Sequence, residues 1–221
     1  LSLLVLSSNA WAQSTKRLID EVNPFIGTSN FGTTNPGAVV PNGLMSITPF
    51  NVSGSAELNK FDKDKRWWST PYTADNKFFS GFSHVNLSGV GCPELGSIIV
   101  SASAGDLDVD YTHYGSVMSH EQAHPGYYSV QLDKHKIKAE VTATQRTAVS
   151  AFTFERGGKS NILVNLGLGL TNESGATVRF LNDSTIVGSK LMGTFCYAPQ
   201  AVFNQYFAIR ISRRAPASGY W

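Results

Sequence analysis

His120-Glu121-Gln122-Ala123-His124 spells H-E-x-x-H, a pattern in which two imidazoles one helical turn apart bind zinc and the glutamate activates a water. That chemistry requires a helix. Here Pro125-Gly126 follows at once and the next residues read as a strand, while a metzincin-type extension would need Gly where Tyr127 stands. Asp106-Leu107-Asp108-Val109-Asp110 resembles the start of a calcium-binding EF-hand loop, but Tyr111 and Val117 occupy the positions of the obligatory Gly and Glu. Its alternation is better read as a strand with one charged face. No G-x-S-x-G, P-loop or G-x-G-x-x-G occurs, so the common hydrolase elbow and nucleotide fingerprints are absent.

Two segments suit ligand chemistry better. In Ser80 to Gly96, Gly81, Gly89, Gly91 and Gly96 let the backbone turn tightly and approach a ligand closely. His84, Asn86 and Ser88 place donors and acceptors at the end of a strand there; a purely structural histidine is the competing reading. Asn51 to Asn76 is polar, has no clear strand and holds Trp67-Trp68. An exposed indole suits the apolar C–H face of a pyranose, whereas a buried one would plug the end of a sandwich. Asn23 to Val40 is a third long irregular stretch, rich in Gly, Pro, Asn and Thr. Long irregular loops in a compact domain are usually functional or disordered.

The elements that must position these loops have a period of two. Ile137, Ala139, Val141 and Ala143 alternate with Lys138, Glu140, Thr142 and Thr144, as in a half-buried strand. With Tyr127 to Leu132 before it and Ser150 to Phe154 after it, this makes a three-strand antiparallel meander. Further strands are expected at Gly43 to Thr48, Phe78 to Asn86, Gly96 to Ala102, Leu107 to Tyr111, Asn161 to Leu166, Ala176 to Phe180, Ser184 to Val187 and Tyr206 to Ser212. A helix is expected only at Thr15 to Val22. Many short strands with Gly-, Asn- and Ser-rich joints indicate an all-β, antiparallel β-sandwich.

At 221 residues and 42% hydrophobic content, the chain can bury a sizeable core without staples. A formal charge of +2, with its longest basic cluster broken by Asp62 and Asp64, argues against a nucleic-acid partner. Cys92 and Cys196 are too few for a disulfide scaffold or a four-cysteine zinc site. They form either one bridge in an exported protein or two separate thiols. The apolar run Leu1 to Ser8, followed by Ala10-Trp11-Ala12, reads as a secretory signal truncated at its start, over residues 1–12. A buried N-terminal strand is the alternative. The run is shorter than the ~18–20 residues of a membrane span, so export without a membrane span is expected and residues 13–221 form the domain.

Several ordered blocks resemble the N-terminal domain of glycoside hydrolase family 92. They are Asn23-Pro24-Phe25-Ile26-Gly27-Thr28, Pro36 to Gly43, Gly81-Phe82-Ser83-His84 with Leu87 to Cys92, Ser119-His120-Glu121 with Pro125 to Val130, and Ala139 to Arg146. The resemblance places H-E-x-x-H in an ordinary β region. It implies a twisted, galactose-mutarotase-like supersandwich packed on a C-terminal helical (α/α)6 barrel. The implied activity is that of exported, calcium-dependent, inverting exo-α-mannosidases acting on α-mannoside glycans. The acid, the base and most Ca2+ ligands would come from the barrel, so residues 1–221 would not be catalytic alone. Carried over by position, the sugar-side residues are Gly37, Trp68, His84 and the Ser88 to Cys92 loop with Gly91; Trp67-Trp68-Ser69-Thr70-Pro71-Tyr72 only approximates the family's segment. Glu94 departs from the family pattern and receives no role. A stand-alone carbohydrate-binding sandwich and a purely structural bracing domain are the rival readings.

Overall fold

The alternation around Ile137 does what it predicts: Ile137, Ala139, Val141 and Ala143 point into the core while Lys138 and Thr142 face solvent. The structure, a computed structural model, describes residues 17–30, 32–52, 69–89, 91–170, 175–193, 198 and 200–221. The expected signal segment 1–12, Trp67, Trp68 and Cys196 therefore lie outside the described residues.

The strands in chain order are β1 (Ala38–Val39), β2 (Ser46–Phe50), β3 (Phe78–Phe79), β4 (Gly81–Asn86), β5 (Leu95–Ala104), β6 (Ser116–His124) and β7 (Tyr127–Leu132). They continue with β8 (Ile137–Ala143), β9 (Ala148–Phe154), β10 (Ser160–Asn165), β11 (Ala176–Asn182), β12 (Thr185–Gly193) and β13 (Val202–Arg210). All described pairings are antiparallel. A first sheet of five strands runs β1-β2-β4-β5-β10, a second of five runs β3-β6-β7-β8-β9, and a third of three runs β11-β12-β13. The all-β sandwich expected from the sequence is what forms, with the β7-β8-β9 meander intact.

The core lies between the first two sheets. Ala38, Ile47, Phe82 and Ala102 from the first meet Phe79, Met118, Tyr128, Val130 and Leu132 from the second. Phe82 is fully buried and packs edge-on against Phe79, with ring centroids 4.9 Å apart. Each such aromatic contributes about 1.5–3 kcal/mol through burial. The third sheet is tied to the first by Ser97 Oγ, which donates to Gln205 Oε1 at 2.7 Å, and by Lys190 Nζ, which donates to the Leu168 carbonyl at 2.9 Å.

Three expectations are corrected. The stretch Phe78 to Asn86 is two strands in different sheets, because the chain crosses the sandwich at Ser80-Gly81. Gly81 has φ +149°, and a Cβ there would stand 2.3 Å from Ile99 Cγ2, so no larger residue turns this corner. Leu107 to Tyr111 is not a strand. Asp108 Oδ1 accepts the Asp110 N–H at 2.9 Å and Asp110 Oδ1 accepts the Thr112 N–H at 2.9 Å, so local Asx turns take up backbone groups that a ladder would use. The helix expected at Thr15 to Val22 is, in its described part, one 3-10 turn over Leu18–Glu21 that buries no side chain. Without burial such a short segment does not propagate.

β6 is a strand that periodicity did not reveal, although the family resemblance placed its H-E-x-x-H in a β region. Ser119 pairs with Gln131 and Gln122 with Ser129, so β6 carries one extra residue, and His120 sits there at φ +50°. This β-bulge reverses the parity: Ser116 and Met118 face inward before it, Glu121 and Ala123 after it.

Candidate functional site

The three irregular segments singled out in the sequence converge on the β4–β5 connection. The Gly89 N–H donates to the Thr33 carbonyl at 2.7 Å, and Ser69 Oγ donates to the Gly89 carbonyl at 3.4 Å. Gly89 has φ +98°, a conformation glycine adopts at no steric cost. The middle segment is itself latched: the Ala74 N–H reaches the Thr28 carbonyl at 2.8 Å. Asn51 Nδ2 donates to the Thr73 and Asn76 carbonyls at 2.8 and 2.9 Å, while its Oδ1 accepts the Thr73 N–H at 2.8 Å.

His84 stands on β4 between Ile47 of β2 and Ser97 of β5. Phe82 pairs with Val100 but His84 with Ser97, so β5 bulges by one residue, and Ile98 lies in the bulge at φ +52°. That conformation is a genuine outlier for a β-branched residue. It turns the Ile98 carbonyl toward His84 Nδ1, 2.7 Å away. A carbonyl only accepts, so Nδ1 carries the proton and neutral His84 keeps Nε2 as an acceptor. Burial pushes the imidazole below its ordinary pKa, outweighing the opposing bond to Ile98, and favours this neutral form. Among the described residues no partner occupies Nε2. Val85 and Leu95 are also at positive φ, +59° and +60°, so strained backbone is concentrated around this histidine. Such strain persists only where the surroundings enforce it and tends to mark functional sites.

The other expected site residues fall as follows. Ser88 and Gly91 are exposed on the connection, and a Cβ at Gly91 would meet nothing within 4 Å. Cys92 is disulfide-bonded; the only other cysteine in the chain is Cys196. Gly37 has a packing reason of its own, since a Cβ there would lie 2.4 Å from the Ile47 carbonyl oxygen. Asn86, which the sequence offered as a polar contact, is consumed internally. Its Nδ2 donates to Ser46 and to the Ser83 carbonyl, its Oδ1 accepts from Ser83 Oγ at 2.8 Å, and its N–H donates to Ser46 Oγ at 2.7 Å.

Two carboxylates acquire meaning only in three dimensions. Glu94, just after Cys92-Pro93, is 1% exposed, and among the described residues neither carboxylate oxygen has a hydrogen-bond partner. Burial raises its pKa, against a smaller opposing effect of the Leu95 backbone. Glu121 of the H-E-x-x-H accepts the hydroxyls of Tyr72 and Tyr128, both at 2.8 Å, and pairs with Lys77 Nζ at 3.2 Å. Burial, followed by the Glu121 charge, pushes both phenols well above their ordinary pKa. Ser119 Oγ donates to Asp133 at 2.6 Å and lies 3.1 Å from His120 Nδ1. The serine sits between the other two, which is not the order of a nucleophile triad. Among the described residues no three His, Cys, Asp or Glu side chains gather as a metal site.

The family model of the glycosyl hydrolase family 92 N-terminal domain matches residues 21–221. The chain belongs to that family. Among solved structures it is similar to a family 92 α-mannosidase from Bacteroides thetaiotaomicron, with TM-scores of 0.77 alone and 0.76 in complex with mannoimidazole, at 30% identity. That match covers 90% of this chain and 26% of the other. A second family 92 glycosyl hydrolase gives a TM-score of 0.67 at 27% identity, covering 86% of this chain and 26% of that one. An uncharacterized secreted glycosidase of Arthroderma benhamiae is 29% identical over 178 residues, covering 74% of this chain and 21% of the relative. The chain thus spans about a quarter or less of the length of these relatives.

Proposed function

We propose that this chain is the N-terminal, carbohydrate-contacting domain of an exported exo-α-mannosidase, and that its β4–β5 connection lines the mannose pocket. The observation that carries the proposal is the meeting of three loop segments at Gly89 beside a neutral His84 held by a strained bulge. Family 92 membership, with the likeness to the Bacteroides thetaiotaomicron α-mannosidase, supports an α-mannoside as the substrate class. His84 Nε2 accepts a sugar hydroxyl, Ser88 and the backbone of Gly91 lie along the same rim, and Trp68, one residue before Ser69, supplies a face for the pyranose. Gly37 keeps the neighbouring loop pressed on β2.

Hydrolysis in this reading is inverting. One carboxylic acid protonates the leaving oxygen while a second carboxylate, ~6.5–9.5 Å away, activates water on the opposite face. We assign both carboxylates to the part of the protein beyond the matched domain, together with the calcium ion. Export agrees with the disulfide at Cys92, since such bonds persist in oxidising compartments, and with the secreted relative. Among the described residues no helix is long and apolar enough to cross a membrane.

The test is His84→Ala in the full-length gene product. Loss of one hydrogen bond to the sugar, about 0.5–1.5 kcal/mol, should lower kcat/KM for an α-mannoside by roughly 2- to 10-fold, alongside the fall in melting temperature expected from losing the Nδ1 bond to Ile98. A changed melting temperature with unchanged kinetics would instead make this a bracing domain.

A further inference from the structure

Two carboxyl groups are withdrawn from solvent, and the fold treats them oppositely. Glu121 collects Tyr72, Tyr128 and Lys77. Glu94 is almost wholly buried, and among the described residues neither of its oxygens accepts a hydrogen bond. Nearby polar side chains are spent internally, Asn86 on Ser46 and Ser83 and Asn51 on Thr73 and Asn76. A buried polar group without a partner forfeits the hydrogen bonds it made to water. Folded proteins therefore keep few of them, and each has a cause.

The chain on either side holds Glu94 in place. Cys92 is disulfide-bonded, Pro93 has its φ fixed by its ring, and Leu95 and Gly96 both lie at φ +60°. Leu95 is locked opposite Asn86 of β4, and a Cβ on Gly96 would stand 3.1 Å from the Leu170 side chain. Strained backbone and the orphaned carboxyl thus fall on one stretch, Cys92 to Gly96, which closes the β4–β5 connection. Ser97, just downstream, is the β5 partner of His84.

What completes the carboxyl is a donor brought from outside these residues. His84 Nε2, on the neighbouring strand, is likewise an acceptor, because Nδ1 holds the proton against the Ile98 carbonyl. An anion would meet the glutamate's own charge there. A ligand that answers both acceptors must carry several hydroxyl donors, and a sugar does. We propose that Glu94 is a substrate-binding residue whose carboxyl oxygens accept hydroxyls of the bound mannoside. The inference rests on reading the β4–β5 connection as a wall of the mannose pocket. It gives the buried carboxyl a use that outweighs its cost in stability, a trade common at functional sites.

Glu94→Gln in the full-length gene product tests it with two independent readings. Glutamine keeps the size and gives up no partner within the fold, so the variant should melt no lower than the parent. Its kcat/KM for an aryl α-mannoside should nonetheless fall by roughly 10-fold, through lost hydrogen bonds to a charged acceptor. Singly deoxygenated α-mannosides then locate the contact. Removing the hydroxyl that Glu94 accepts should cost the parent about 10-fold and the variant only a few-fold, a coupling that a merely structural residue does not show. Unchanged kinetics in a stable variant, or equal deoxy penalties in both proteins, overturn the assignment and leave the mannosidase reading standing. A variant that melts lower means that the carboxyl has a partner inside the fold, and overturns it too. A parent inactive on every α-mannoside overturns the mannosidase reading itself, and the assignment with it.

Discussion

Replacing Glu121 by Ala isolates the polar anchor that holds the 69–76 segment onto the second sheet. Tyr72 is 1% and Tyr128 0% exposed, and both hydroxyls end on the same Glu121 oxygen at 2.8 Å. Alanine leaves two buried donors unpaired, at about 1–3 kcal/mol each, so a loss of about 2–6 kcal/mol is expected. The Lys77 pair adds little, because the lysine side chain is 44% exposed. Since a domain's whole stability is about 5–15 kcal/mol, Glu121→Gln provides a milder variant. It keeps an acceptor and sacrifices only charge assistance, about 1–2 kcal/mol. Urea unfolding reads both as a lower midpoint at constant slope. In a Tyr72→Phe, Tyr128→Phe background the orphaned donors are gone, so Glu121→Ala should then cost less than half as much. An equal cost in both backgrounds, or a cost below about 0.5 kcal/mol in the parent, refutes the anchor. Stabilisation of the parent by added zinc would favour the metalloprotease reading of H-E-x-x-H instead.

Two further outcomes concern buried ionisable groups. Glu94 has a raised pKa in the folded state, so its contribution is favourable at acid pH and is lost as pH rises through the folded value. Glu94→Gln should therefore gain in stability relative to the parent as pH rises from about 4 to 7, read by urea midpoints across that interval; a variant that loses ground over it means the carboxylate has a charged partner. Lys190, 1% exposed, is pushed by burial from 10.5 to about 8, so the parent loses stability as pH falls from the first value to the second. The stability difference between Lys190→Met and the parent should shift in the variant's favour over that interval by up to about 3 kcal/mol, and a flat difference across it contradicts the assignment.

Strands with one dry face were legible in the sequence, because burial itself writes the alternation seen in β8 and β9. β6 was not, since its bulge at His120 changes parity midway and breaks the pattern. Leu107 to Tyr111 misled for the opposite reason: it alternates without a neighbouring strand, and Leu107 and Tyr111 remain 60% and 46% exposed. The Gly89 convergence was half legible. Each of its three loops was conspicuous in composition, but only tertiary structure puts Thr33, Ser69 and Gly89 together. Glu121 was conspicuous only within H-E-x-x-H, which the following Pro125-Gly126 set aside; its structural role stayed hidden because its partner Tyr72 is 49 residues away, and no local spacing reveals a contact set by topology. Glu94 carried no sequence signal beyond its place between Pro93 and an apolar strand.

The central claim is that this domain belongs to an inverting α-mannosidase, and the anomer released by the full-length gene product tests it most directly. Proton NMR during hydrolysis of an α-mannoside should show β-mannose appearing first, with the α-anomer growing in only by mutarotation. Initial release of α-mannose, or no hydrolysis of any α-mannoside, contradicts it.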